Sequence, residues 1–282
     1  MKKLVVLLAL SMLSALASCA NGAADKGGVP APQASNAQTE TSEPSPTGTS
    51  EPAPADGVSG EAPDLGASVT SYTLENATLG GLTAAADDFT LTLIGENTLS
   101  GKLKASGNLT ITGDGSLTIS SGADDCINAN GDITIDGGTL ILSTQDDAVH
   151  SDAGLTINGG SVNILKSLEG LEAMVVTING GDTRIAASDD AINASDGGTE
   201  EVAAQNPQGG RGGFGGDMVN NPALSVNITG GGVRLYAGTD GIDSNGGIVI
   251  SGGTVLSFST AAQTGGEGPI DVYRLNYAFN FR

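Results

Sequence analysis

From about residue 66 onward, apolar side chains alternate with small polar ones. Leu140/Leu142, Val162/Ile164 and Val233/Leu235 fall at one point of a recurring pattern. Ile133/Ile135, Leu155/Ile157, Val176/Ile178, Val226/Ile228 and Ile248/Ile250 fall at another. A period of two, rich in β-branched residues, is a strand signal. Residues 66–120 are more divergent, but Leu91, Leu93, Leu99, Leu109, Ile111, Leu117 and Ile119 keep the alternation. Beyond the N-terminal segment no stretch shows helical spacing.

The alternation sits inside a longer repeat. Ile-x-Gly-Gly occurs at Ile135, Ile157, Ile178, Ile228 and Ile250, at spacings of 22, 21, 50 and 22 residues. A second motif runs in phase with it: an acid, a small residue, an aliphatic one, a polar one and another small one. Its copies are Asp125–Ala129, Asp147–Ser151, Glu169–Ala173, Asp190–Ala194 and Asp240–Ser244, with a degraded sixth at 267–271. One repeat has too little apolar surface to fold alone, but stacked repeats form continuous inward ladders. The expectation is an all-β, right-handed parallel β-helix of about 22 residues per rung, the hand following the usual crossover rule. A sandwich of antiparallel hairpins predicts turn signals every 8–12 residues, not a position-for-position repeat.

The rest of the chain divides by composition. Residues 1–19 read as a lipoprotein signal: Lys2 and Lys3, an apolar run from Leu4 to Leu16, then Leu16-Ala17-Ser18-Cys19, with Cys19 as the lipidation site. That expectation is an exported protein, lipid-anchored on the outer face of a bacterial membrane. Residues 20–65, dominated by Ala, Pro, Ser, Thr, Glu and Gly, read as a disordered acidic spacer. The solenoid is assigned to 66–272, interrupted by a Gly-rich inserted loop at 196–222 that carries Arg211 and Phe214. Solenoid insertions often lie on the binding face. Residues 273–282 lose the period and hold four of the nine Tyr and Phe residues, which reads either as a truncated or frameshifted end or as a cap over the last rung.

Charge adds the chemistry. Eleven Lys and Arg stand against 32 Asp and Glu, a net of −21, which argues against nucleic-acid or anionic-membrane binding and favours a cation partner. Stacking would place Asp125, Asp147, Glu169, Asp190 and Asp240 in one column, about 4.8 Å per step. Asn128, His150, Glu172, Asn193 and Asp243 would form a second column, and Asp124, Asp146 and Asp189 part of a third. Like charges at that spacing repel, and a hard divalent cation such as Ca²⁺, which takes 6–8 oxygen ligands, would relieve them. The competing reading is structural, because Asp and Asn cap tight turns through backbone N–H groups. A Glu at position 169 is not needed for such a cap. His150, aligned with Asn128 and Glu172, is read as a turn or ligand-shell residue. After removal of the signal, Cys126 is the lone thiol and is read as a small buried side chain.

The strings Asp146–Asp152, Leu168–Ala173, Asp189–Ala194 and Thr239–Gly246 resemble the clostridial carbohydrate-binding β-helix proteins, a family related in fold to pectate lyases. The resemblance implies bound Ca²⁺ and non-catalytic binding of cellulose and of acidic plant polysaccharide such as polygalacturonate. A cation shared between protein and sugar carboxylates would reconcile an anionic surface with an anionic ligand. Tyr236, with Phe214 and Arg211 of the inserted loop, is a candidate sugar contact. Partners beyond the polysaccharide are limited to the membrane through the anchor, and the protein is expected to be monomeric. The rival readings are a Ca²⁺-dependent lyase, for which Lys166 is the available base, and a structural adhesin stalk.

Overall fold

Each stretch of alternating residues forms a short strand with its apolar side chains turned inward, and each strand pairs in parallel with the one a rung away. The computed structural model describes residues 55–57, 59–196, 221–260 and 268–272. They form about eight turns of roughly 22 residues, a β-solenoid, as the repeat predicts. Three ladders run along it. The first includes Asp88–Ile94, Asn108–Gly113, Ile133–Ile135, Ser225–Ile228 and Gly247–Ile250. The second runs from Ser59–Gly60 through Thr139–Thr144, Ser161–Ser167, Asp182–Ala187 and Gly232–Ala237 to Thr254–Ser259. The third includes Leu103–Ala105, Ile127–Ala129, Ile192–Ala194 and Asp243–Ser244. Val149–Ile157 and Leu171–Ile178 are longer strands that bend from the third ladder into the first.

The core is the stack of inward positions. Ile127, Val149, Leu171 and Ile192 lie one above another in register, and so do Ile135, Ile157, Ile178, Ile228 and Ile250. All but Ile250 are essentially inaccessible to solvent. Cys126 is buried among them, as the sequence implied.

The Ile-x-Gly-Gly motif has a specific cause. Its second glycine takes a left-handed backbone in all five copies: Gly138, Gly160, Gly181, Gly231 and Gly253 have φ between +75° and +80°. A Cβ on Gly160 would lie 2.5 Å from the carbonyl oxygen of Gly138 on the rung below. Position x is the rung of another ladder: Asn158 Nδ2 donates to Asp136 Oδ1 at 2.8 Å, Asn179 Nδ2 to Asn158 Oδ1 at 2.9 Å, and Thr229 Oγ1 to Asn179 Oδ1 at 2.7 Å.

One difference from the sequence reading stands out, and one expectation holds. Paired strands begin at Ala55–Asp56, Ser59–Gly60 and Asp64–Leu65, inside the 20–65 stretch read as spacer. These strands are held by backbone pairing, with Leu65 the core side chain among their described ones, so composition does not reveal them. The 50-residue step between Ile178 and Ile228 leaves the stack unbroken, because Val176 pairs directly with Val226. The extra residues leave between the third ladder and the first, where Asn221 Nδ2 donates to Asp196 Oδ2 at 3.1 Å.

The glycine geometry gives a paired test. Gly122 has φ +75° but nothing within 4 Å of its Cβ position. Gly122→Ala therefore carries only the left-handed penalty, about 1–2 kcal/mol, while Gly160→Ala adds a clash between rungs. Denaturant titration should show the larger loss for Gly160→Ala, and equal losses would contradict this account.

Candidate functional site

The outward side of the third ladder carries the acid motif in register. Asn128 pairs with His150, His150 with Glu172, Glu172 with Asn193 and Asn193 with Asp243. The corner preceding this ladder stacks likewise. The N–H groups following Asp125, Asp147, Glu169 and Asp190 donate to the carbonyls of Asp147, Glu169, Asp190 and Asp240, at 2.9–3.1 Å.

Aligned carboxylates repel, and the structure relieves them in several ways. First, a column acid accepts the backbone N–H of the acid on the next rung. Asp147 N–H donates to Asp125 Oδ1 at 3.3 Å, Glu169 N–H to Asp147 Oδ1 at 3.2 Å and Asp240 N–H to Asp190 Oδ1 at 2.7 Å. These are turn caps extended across rungs. Second, His150 supplies a cation. Its Nδ1 lies 2.7 Å from Glu172 Oε2 and 3.6 Å from Asp147 Oδ2, and its Nε2 lies 3.1 Å from Asp152 Oδ1. Third, Glu169 carries a longer arm, and Asn193 Nδ2 donates to both of its carboxyl oxygens at 3.0 Å.

The titration behaviour follows. The carboxylates of Asp147 and Glu172 push the His150 imidazole up to about 11, so it is a cation at neutral pH. His150 in turn pulls Glu172 below the usual range. Burial, with the nearby Glu172 and Asp147 charges, raises Glu169 to about 9. Burial raises Asp190 to about 7, and burial also raises Asp125, Asp146 and Asp147. Part of the column is therefore kept neutral by protons.

Two groups of side chains converge closely enough to share an ion: Asp125, Asp146 and Asp147, and Asp147, His150 and Glu172. The first is an all-carboxylate set and fits a hard cation such as Ca²⁺. The second includes an imidazole nitrogen already engaged by Glu172, and does not fit Ca²⁺ as it stands. Asp124 is drawn away by Lys102 Nζ at 3.0 Å and is mostly exposed. Glu169 turns to Asn193. Asp190, Asp240 and Asp243 lie further along the column, with Asp190 and Asp240 buried and tied to each other. Asp189 lies beside Asp190, and its backbone carbonyl accepts the N–H groups of Gly238 and Thr239.

Beyond the acids, two hollows meet at the corner between the third and first ladders. One, of about 180 Å³, is lined by His150, Asp152, Glu172, Met174 and Asp196. The other, of about 420 Å³, is lined by Asp132, Thr134, Thr156, Met174 and Ala223. Met174 lines both, so the two lie side by side as a grooved corner, and the inserted loop leaves the solenoid beside it, after Asp196. Sequence reasoning missed this groove. Its only signal was the insertion point, which falls on that corner.

Tyr236 lies on the outward side of the second ladder, as its place beside inward Leu235 implied. Its ring is stacked with Phe258, centroids 5.3 Å apart, and the Arg184 guanidinium sits 5.6 Å from its centroid. Lys166 is exposed in a bulge of the second ladder; among the described residues it makes no ion pair, and it does not line the groove. Cys19, Arg211 and Phe214 lie outside the described residues.

A family model described as carbohydrate-binding domain-containing protein matches residues 67–265, well over half of the 282-residue chain. No curated protein and no solved structure gives a significant match.

The acid column makes cation-free stability fall as pH rises. Folding raises His150 from 6.5 to about 11 and Glu169 from 4.5 to about 9, so the folded chain holds more protons than the unfolded one across both windows. Glu172 shifts the opposite way, and its contribution is lost only under acid conditions, below its usual value of 4.5. In chelator, the melting temperature should drop between about pH 6 and pH 9. Glu169→Gln should flatten that slope and out-stabilise the parent at the alkaline end. A melting temperature that rises over this range, or a variant indistinguishable from the parent, would sink the idea.

Proposed function

The chain belongs to the family of carbohydrate-binding domain-containing proteins, and on that premise we propose that it is an exported, lipid-anchored binder of plant polysaccharide that acts without cleaving its ligand. Its preferred ligands are acidic sugars such as polygalacturonate, with cellulose as a second. The observation that carries the reading is the convergence of Asp125, Asp146 and Asp147 at the corner preceding the third ladder, whose outward residues His150 and Glu172 line one of the hollows on its other side. These three residues would hold Ca²⁺, and the ion would supply a positive charge that a uronate carboxylate can share.

The chain's own residues do the rest. His150 neutralises Glu172 at the groove wall, so less negative charge faces an anionic ligand. Thr134 and Thr156 offer hydroxyls, Asp152 an acceptor and Met174 an apolar surface for the sugar's C–H face. A few directional polar groups around an apolar patch is the usual make-up of a small-ligand site. A lyase would need a base at the metal and the ligand, and Lys166 stands in the bulge of the second ladder and lines neither hollow.

Binding an ion to the folded state alone stabilises it by about 2.7 kcal/mol at a hundredfold excess over Kd, or about 5–10 °C for a domain of this size. Excess Ca²⁺ should therefore raise the melting temperature by that order, and Asp125→Asn with Asp146→Asn should abolish most of the rise. Retention on immobilised polygalacturonate should fall in chelator, and no unsaturated product should appear by ultraviolet absorbance. Identical melting and no retention with or without Ca²⁺ would overturn the reading.

A further inference from the structure

The outer side of the second ladder has the opposite chemistry to the acid face. Its register sets Arg184 beside Arg234 and Arg234 beside Leu256 in one outward column. The next column sets Ala186 beside Tyr236 and Tyr236 beside Phe258. Lys166 lies in the bulge that precedes Ala186 on the neighbouring strand. Of the five Lys and Arg among the described residues, three are therefore on this one face, in a chain of net charge −21. Tyr236, Phe258 and Leu256 are 42%, 54% and 43% exposed.

The charges on this face are arranged, not scattered. Two arginines directly across a ladder repel. Arg234 is neutralised by Asp182. Arg184, one strand earlier, makes no ion pair among the described residues and rests instead against the Tyr236 ring. Phe258, from the following strand, stacks on Tyr236 at 10° between planes. The result is a row of guanidinium, phenol and phenyl along the solenoid axis. A cation–π contact at an exposed site orders the guanidinium without neutralising it. Tyr236 is therefore sandwiched, and the surfaces left for a ligand are the Arg184 cation and the exposed ring edges of Tyr236 and Phe258.

Resting on the carbohydrate-binding reading, we propose that this face is a second, cation-independent docking surface for the same anionic polysaccharide. A uronate unit carries both a carboxylate and an apolar C–H face, and this row presents a guanidinium next to aromatic surface. The match is one of charge and of amphipathic character. A neutral glucan would leave Arg184 unused. The exposed acid of this face, Asp182, is engaged by Arg234, and exposed charges farther than about 8 Å from Arg184 are largely screened at physiological ionic strength.

Affinity electrophoresis of the full chain in gels containing polygalacturonate separates this surface from the Ca²⁺ corner. With chelator present, the parent should still be retarded, and the retardation should weaken with added salt. Arg184→Glu and Phe258→Ala should each raise the chelator-resistant apparent Kd about fivefold or more, with circular dichroism confirming the fold. Migration in gels containing a neutral glucan should not respond to Arg184→Glu. If the parent binds only when Ca²⁺ is present, or if both variants bind like the parent in chelator, the second surface is overturned while the carbohydrate reading stands. If the parent binds no polysaccharide under any condition, both fall together.

Discussion

The described rungs pair in parallel and, apart from a few bulges, in register, so each residue type is pressed against whatever occupies the same position one turn away. For aliphatic residues this is favourable on both sides, and Ile127, Val149, Leu171 and Ile192 need no other partner. For Asn158 and Asn179 it allows an amide ladder at the turn. For glycine it is a steric demand, since the backbone of one rung occupies the space a Cβ would need on the next. For carboxylates it is a penalty, and the chemistry of the candidate site comes from the ways that penalty is met.

The acid column meets it locally. Backbone N–H groups, a protonated His150, a side-chain amide and bound protons each serve a different rung. These devices differ in how much negative charge they leave. Asp125, Asp146 and Asp147 keep three carboxylates together, and among the described residues the one cationic side chain paired with them is His150, 3.6 Å from Asp147. That is the position where a metal ion would gain most. The second ladder shows the same constraint applied to cations: Arg184 and Arg234, forced side by side, are relieved by an aromatic ring and by Asp182. Acidic and basic faces thus follow from one stacking rule applied to two outward columns.

Most of this fold was legible because the repeat is nearly periodic. A 22-residue offset aligns Asn128 with His150 and His150 with Glu172, as the strand register has it. The same offset from Tyr236 leads to Phe258, a stack that spacing alone does not announce because the two flanking segments share little else. The role of His150 was only half readable. Alignment places it in the second column, but its charge depends on Asp147 three residues before it and Glu172 from the next rung, and therefore on side-chain directions that spacing does not give. The first strands, Ala55–Asp56 and Ser59–Gly60, were invisible because their pairing is backbone to backbone. The groove was invisible because it is the space between a bent strand and an insertion.

The central claim is that in-register stacking concentrates carboxylates into a site for a hard cation. It is tested most directly by a crystal structure grown in Ca²⁺, with anomalous scattering from a heavier substitute ion to identify the occupant. The account predicts an ion held by oxygens of Asp125, Asp146 and Asp147, with His150 still paired to Glu172. The same three carboxylates in place, with no ion between them in crystals saturated with Ca²⁺, would contradict it.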